Sequence, residues 1–147
     1  GRYFMLKAYL IQALCMIIRE QREEKQEGEG KGYIFQSTGK KYVVQQIMKY
    51  MEENYQEKIS LEQIAANMYL SSFYIAKIFK SETGDTPINY LIRLRMEKAK
   101  EILEISPEEP IKEVAAAVGY SDAYHFSKLF KKHYGISPLY YKKESFS

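Results

Sequence analysis

The side chains best suited to chemistry lie in two matching stretches, Lys77-Ile78-Phe79-Lys80 and Lys128-Leu129-Phe130-Lys131. A lysine ammonium donates hydrogen bonds to phosphate oxygens, and it can also donate to O6 and N7 of guanine. The phenylalanines at the same spacing are apolar. Each stretch therefore predicts a helix that buries one side and presents a cationic side to a partner rich in acceptor oxygens.

Both stretches belong to an internal repeat. "SLEQIAANMYLSSFYIAKIFKSETGDTP" (60–87) aligns with "PIKEVAAAVGYSDAYHFSKLFKKHYGISP" (110–138), with one residue inserted in the second copy. In each copy a short apolar-periodic segment is followed by a few turn residues and a second periodic segment. This is the pattern of a helix-turn-helix unit.

Small residues lie where two helices of such a unit must approach closely. Ala65-Ala66 and Ala115-Ala116 leave room for a steep helix crossing, and Gly119 supplies backbone freedom at the second turn. Tyr69 occupies the corresponding place in the first copy. The first turn must therefore accommodate a bulkier residue.

Capping residues predict the element boundaries. Ser60 with Gln63 three residues later starts a helix, and Thr86-Pro87 supplies an N-cap followed by proline at the first helical position. An earlier helix is predicted to end near Asn54. We expect an all-α fold of two helix-turn-helix subdomains, at about 60–84 and 110–135, joined by a long connecting helix at about 86–104.

The N-terminal part of the chain differs from this domain, which we place at 41–147. Residues 3–18 are almost uniformly apolar, and we expect a separate apolar helix within 1–25 that buries against protein. About 20 apolar residues are needed to span a bilayer, so we expect no membrane insertion. The glycine-rich segment 26–40 predicts a linker.

The composition argues against several function classes. The only cysteine, Cys15, lies in the apolar segment, and it leaves the chain without an intramolecular disulfide, as is typical of the cytoplasm. The two histidines have no cysteine or carboxylate partners at metal-ligand spacing. No nucleophile and base present themselves, so we expect no enzyme, no metal and no cofactor.

The net charge of +3 is small, but the charges are segregated. Basic residues lie on the second helices of the repeats, on the connecting helix and near the C-terminus: Lys77, Lys80, Lys128, Lys131, Lys132, Arg93, Arg95, Lys142 and Lys143. Acidic residues concentrate elsewhere, notably between Glu97 and Glu113. Because a binding face for DNA must keep carboxylates away from phosphates, this distribution indicates nucleic-acid binding.

The region from about 42 to 143 closely resembles the AraC/XylS family of bacterial transcriptional regulators. The motifs that carry the resemblance are Arg95-Met96, Ala99, Ile111, Val114-Ala115, Gly119-Tyr120, Phe126, Phe130 and Gly135-Ile136-Ser137-Pro138. The resemblance implies a cytoplasmic transcription factor, often an activator. One monomer would read two successive major-groove segments about 10 bp apart.

The resemblance also implies partners. Double-stranded DNA is the principal one, and RNA polymerase is expected as a protein partner. Many family members carry an upstream sensor domain that ends in dimerising helices, so residues 3–18 are expected to form a homodimer contact. A small-molecule effector would act only through that sensor domain.

Base contacts are expected from the faces of the second helices that point away from the core. The expected base-contacting residues are Ser72, Phe73, Ala76 and Lys77 in the first repeat, and Ala123, Tyr124, His125, Ser127 and Lys128 in the second. Two of these have plain alternatives, since Phe73 could belong to the core and His125 could simply face solvent.

Phosphate contacts are expected from cations and helix starts at the edges of the same faces. The expected residues are Ser71, Lys80, Thr86, Arg93, Lys131, Lys132 and Ser137. The alternative for the domain as a whole is a helical protein-interaction module that does not bind DNA.

Overall fold

A computed structural model describes residues 29–144, and all regular secondary structure in this range is helical. In chain order the helices are α1 (Glu29–Asn54), α2 (Leu61–Asn67), α3 (Ser72–Thr83), α4 (Pro87–Ile105), α5 (Ile111–Ala117), α6 (Ala123–Tyr134) and α7 (Pro138–Glu144). The predicted all-α class, both helix-turn-helix units and the connecting helix are confirmed. Within these residues no helix is long and apolar enough to cross a bilayer.

Helix α1 begins earlier than the sequence predicts. The proposed linker at 26–40 is helical from Glu29 onward. Glycine costs about 1 kcal/mol relative to alanine inside a helix, which is why this segment suggests a linker. However, the buried stripe formed by Val43, Ile47 and Met51 continues at the same four-residue spacing back to Gly39, inside the predicted linker. Residues 26–28 and the apolar segment 3–18 lie outside the described residues.

The described chain divides into two compact units. The first consists of residues 29–53 and 60–87, and the second of residues 54–59 and 88–144. Each unit holds one of the two helix-turn-helix motifs.

The core of the first unit is built from α1, α2 and α3. Its buried apolar side chains are Val43, Val44, Ile47, Met51, Ile64, Ala65, Met68, Ile75, Ile78 and Phe79. The predicted capping residue Ser60 is confirmed, because its Oγ accepts a hydrogen bond from the backbone N–H of Gln63 at 3.1 Å.

The core of the second unit joins α4, α5 and α6. Its buried members are Met96, Ala99, Leu103, Val114, Ala115, Val118, Phe126 and Phe130. Leu129, expected in this core, is only partly buried against it.

Helix α7 begins at Pro138, directly after Ser137, where the sequence predicts a helix start. Ser137 caps it by accepting from the N–H of Tyr140 at 3.1 Å. The Tyr141 hydroxyl donates to the Glu104 carboxylate, and Lys142 Nζ donates to the Glu109 carbonyl at 2.8 Å. Part of the basic character near the C-terminus therefore holds α7 in place.

The turn of the second unit closes with a Schellman motif, a pair of hydrogen bonds that ends a helix with one residue at positive φ. The N–H of Tyr120 donates to the Ala115 carbonyl at 2.9 Å, and that of Gly119 donates to Ala116 at 3.2 Å. Gly119 adopts a φ of 100°. Glycine adopts this positive φ more readily than any other residue, as the sequence predicts for this turn.

The turn of the first unit closes in the same way. The N–H of Leu70 donates to the Ala65 carbonyl at 3.0 Å, and that of Tyr69 donates to Ala66 at 3.2 Å. Tyr69 takes the positive-φ position, with φ at 55°. The two turns are thus equivalent although their residues differ.

Candidate nucleic-acid interface

The outer face of α6 carries a cluster of exposed polar side chains. Its members are Tyr124, His125, Lys128, Lys131 and Lys132. At 100° per residue they lie within about 120° of the helix circumference. Phe126 and Phe130 occupy the opposite, buried side. The predicted separation of outward cations and aromatics from inward phenylalanines is therefore present in α6.

The start of α6 is capped by Asp122. One carboxylate oxygen, Oδ1, accepts from the N–H groups of Tyr124 at 2.9 Å and His125 at 3.2 Å. Two backbone donors at this helix start are thus already satisfied. The start of α6 offers side chains, rather than these two amides, to a partner.

Lys128 is held by its neighbour one helical turn earlier. Its Nζ lies 4.5 Å from the centroid of the Tyr124 ring. An exposed cation–π contact of this kind contributes about 0.5–1 kcal/mol. The Tyr124 ring therefore restricts the orientation of the Lys128 side chain.

Two predicted base-reading residues of α6 have little reach. Ala123 packs against the core of the second unit, and the Ser127 hydroxyl donates to the Ala123 carbonyl at 2.8 Å. His125 is exposed, with its ring centroid 5.7 Å from that of Tyr120. Of the predicted base-contacting residues of α6, Tyr124, His125 and Lys128 are exposed.

The corresponding face of α3 is less polar. Phe73 is 80% exposed, so it is not part of the core. Lys77 and Lys80 are exposed, whereas Ser72 and Ala76 are half-buried. This face can offer two ammonium groups and one aromatic ring.

The hydroxyl residues expected at phosphates stand at helix starts. Ser71 caps α3 by accepting from the Tyr74 N–H at 3.0 Å, and Ser137 caps α7. A hydroxyl that accepts in a cap still has its own proton to donate to a phosphate. Thr86 precedes α4, and its N–H donates to the Asp85 carboxylate at 2.9 Å.

The four cations expected at phosphates are all exposed: Lys80, Arg93, Lys131 and Lys132. The Arg93 guanidinium carbon lies 5.6 Å from the ring centroid of Tyr90 on the same helix. This contact leaves the guanidinium at the surface. Exposure therefore agrees with a surface role for each of them.

The sequence predicts that Arg95 is one of the cations on the basic side, but in the structure it lies in the interior. It is only 8% exposed, with Nε 2.9 Å from the Tyr55 carbonyl and Nη2 2.8 Å from the Glu57 carbonyl. Its guanidinium carbon is 5.0 Å from the Tyr120 ring centroid. It therefore holds the segment 54–59, which follows from the end of α1, within the second unit.

The sequence does contain a signal for this placement. Arg95 lies four residues after Leu91 and four before Ala99, and both of these are buried. A cation on such a stripe should be expected inside the protein, paired with acceptors.

Gly119 closes the same cluster. A β-carbon at this position would stand 2.6 Å from the Tyr55 carbonyl oxygen and 3.0 Å from Arg95 Nη2. Three residues of the sequence motif, Arg95, Gly119 and Tyr120, thus form one structural cluster.

Acidic residues of α4 lie near another part of α6. Burial, followed by the negative charges of Glu97, Glu104 and Glu101, raises the pKa of Tyr134 above its usual value. Tyr134 is about 120° around the helix from Lys128. The carboxylates therefore lie near a neutral phenol on another side of α6. Among residues 29–144 no group of three His, Cys, Asp or Glu side chains could hold a metal ion.

Comparison with known proteins identifies the family. A model of a helix-turn-helix domain matches residues 64–144, which is more than half of the chain. The chain belongs to the AraC-type helix-turn-helix family. The match includes both turns, the connecting helix α4 and the C-terminal α7, so the resemblance drawn from the motifs is confirmed.

Three similar proteins illustrate this AraC-type membership. The MmsAB operon regulatory protein of Pseudomonas aeruginosa is 39% identical over 94 residues, 64% of this chain and 30% of that protein. The C-terminal domain of AraT, a response regulator from Geobacillus stearothermophilus, has a TM-score of 0.67 and 35% identity, covering 69% of this chain and 84% of that one. The DNA-binding domain of AdpA, a global transcriptional factor in complex with a target DNA, has a TM-score of 0.65 and 27% identity, covering 69% and 91%.

The curated relatives are much longer than the AraC-type domain. The matched region amounts to 30–38% of the length of the MmsAB regulator and of two other relatives. The family consists of DNA-binding domains of transcriptional regulators and is not an enzyme class.

Proposed function

We propose that this AraC-type domain binds double-stranded DNA sequence-specifically and regulates transcription. In this proposal α3 and α6 enter successive major-groove segments. The observation that carries it is the repeated helix-turn-helix motif, in which the second helix of each copy exposes aromatic and cationic side chains opposite a buried face. The similar DNA-binding domain of AdpA was solved in complex with a target DNA, which supports DNA as the partner.

The two recognition helices are expected to contribute unequally. Lys128, His125 and Tyr124 give α6 several polar groups that can reach base edges. On α3, Phe73 and Ala76 can offer only apolar contacts, for example to a thymine methyl group, and Lys77 is the main hydrogen-bond donor. We expect α6 to supply most of the base discrimination.

Further partners belong to the same proposal and rest on the family resemblance. They are a second copy of the chain contacting residues 3–18, RNA polymerase, and a small-molecule effector bound outside this domain. The domain would act in the bacterial cytoplasm without catalytic activity of its own.

Lysine replacements test the two kinds of DNA contact. Lys80→Ala is expected to weaken binding to all duplexes about equally and to reduce the slope of log affinity against log salt by about 0.9, the value for one phosphate. Lys128→Ala is expected to cost about 1–3 kcal/mol of discrimination at one base pair. Fluorescence anisotropy with a mixed-sequence duplex, and then with single-base variants of a selected site, measures both quantities.

The alternative function predicts different results. A protein-interaction module would bind neither duplex in a salt-dependent manner, and that outcome would overturn the proposal. If Lys128→Ala weakened every duplex alike, Lys128 would be a phosphate contact and its assignment as a base reader would be wrong.

A further inference from the structure

Tyr69 combines two properties that are unusual together. It is the one non-glycine residue at positive φ among the described residues 29–144, and its side chain is 83% exposed. The left-handed backbone conformation is unfavourable for a residue with a β-carbon and is normally taken by glycine at this position of a Schellman motif. The exposed ring gains little packing to offset that cost.

The second repeat provides an internal comparison. Its equivalent residue is Gly119, and the hydrogen bonds of the two turns match in pattern. The turn itself therefore needs no side chain at this position. A side chain at Gly119 would collide with the Tyr55 carbonyl, whereas Tyr69 projects into solvent.

The position of Tyr69, just before the second helix of its motif, points to a partner for its side chain. Three residues later α3 begins, with Ser71 as its cap and the 80% exposed Phe73 in its first turn. In a helix-turn-helix domain bound to DNA the first helix crosses the sugar-phosphate backbone and the second enters the major groove, so the turn that joins them passes close to that backbone. A tyrosine hydroxyl donates well to phosphate oxygens.

We propose that Tyr69 is a further DNA contact, in which the phenol donates a hydrogen bond to a phosphate oxygen at the edge of the groove that α3 occupies. This inference rests on the proposed function. It adds a neutral phosphate contact to the unit whose recognition helix carries fewer polar groups. The second unit needs no counterpart, because α6 has one additional exposed lysine, Lys132, on its outer face.

Three variants of the full chain test the contact. Tyr69→Gly and Tyr69→Asn place residues that tolerate positive φ at the turn, and Tyr69→Phe removes only the hydroxyl. We expect each to bind a fluorescent mixed-sequence duplex of three helical turns about three- to tenfold more weakly, as for loss of one hydrogen bond. The melting temperature of Tyr69→Gly should be unchanged or higher, because the strained backbone is relieved.

Salt dependence separates this contact from that of a cation. A phenol displaces no counterion, so the salt slope of the Tyr69 variants should equal that of the wild type, in contrast to Lys80→Ala.

The other outcomes each contradict a defined claim. Unchanged affinity of Tyr69→Gly would overturn the contact while leaving the proposed function intact. A lowered melting temperature in Tyr69→Gly would mean that Tyr69 supports the fold and would also overturn the inference. Absence of duplex binding by the wild-type chain would overturn the proposed function itself.

Discussion

Gly119→Ala is expected to lower the free energy of unfolding by about 3 kcal/mol or more, because a strained backbone and a steric clash act at one position. The φ of 100° is unfavourable for alanine. The new β-carbon would lie 2.6 Å from the Tyr55 carbonyl oxygen, a backbone atom that cannot rotate away. Denaturant unfolding followed by circular dichroism measures the loss.

Gly135→Ala is the matched control in the same unit. Gly135 also has a positive φ, 82°, but no atom beyond its two chain neighbours lies within 4 Å of its potential β-carbon. Only the backbone cost remains, and the expected loss is about 1 kcal/mol. Equal losses for the two variants would contradict the close packing of Gly119 against Tyr55.

Arg95→Ala is the second change with a large expected effect, a loss of about 3 kcal/mol in unfolding free energy. The replacement removes two charged donors from the Tyr55 and Glu57 carbonyls and leaves a space beneath the Tyr120 ring. Arg95→Lys should recover only part of the loss, since an ammonium group lacks the planar fork of donors. Denaturant unfolding measures both variants.

Arg93→Ala gives a paired comparison on the same helix. Arg93 is exposed, so its replacement should change stability by less than about 0.5 kcal/mol while weakening DNA binding. Replacing Arg95 should therefore lower stability, whereas replacing Arg93 should lower DNA affinity. An Arg95→Ala variant that kept its stability and lost DNA binding would show that Arg95 contacts DNA.

The elements of the two repeats could be predicted from sequence because their signals are local. Ser60 and Gln63 mark a helix start three residues apart, and Gly119 marks a turn through its own backbone requirement. The outward direction of Tyr124 and Lys128 follows from helical spacing relative to Phe126 and Phe130. Such signals require no knowledge of distant parts of the chain.

The features that were missed depend on distant or weak signals. The carbonyl groups that pair with Arg95 lie 40 and 38 residues earlier in the chain, so residue type alone suggested a surface cation. The glycines of residues 26–40 are typical of a linker, but Gly39 is buried and is part of helix α1.

Within the candidate interface, the sequence predicted the faces but not the contacts made on them. The stacking of Lys128 on Tyr124 and the hydrogen bond from Ser127 to the Ala123 carbonyl depend on side-chain rotamers. These contacts refine the prediction. The Lys128 ammonium contacts the Tyr124 ring, whereas the Ser127 hydroxyl donates to a carbonyl of its own helix.

Selection of bound duplexes from a random DNA library tests the central claim most directly, with the wild-type chain at a fixed moderate salt concentration. The account predicts enrichment of two short motifs about 10 bp apart, one for each recognition helix, with the stronger base preference in the motif read by α6. Loss of that stronger preference in a parallel selection with Lys128→Ala would assign the motif to α6. Enrichment of no motif by the wild-type chain would contradict sequence-specific reading by the two helix-turn-helix units.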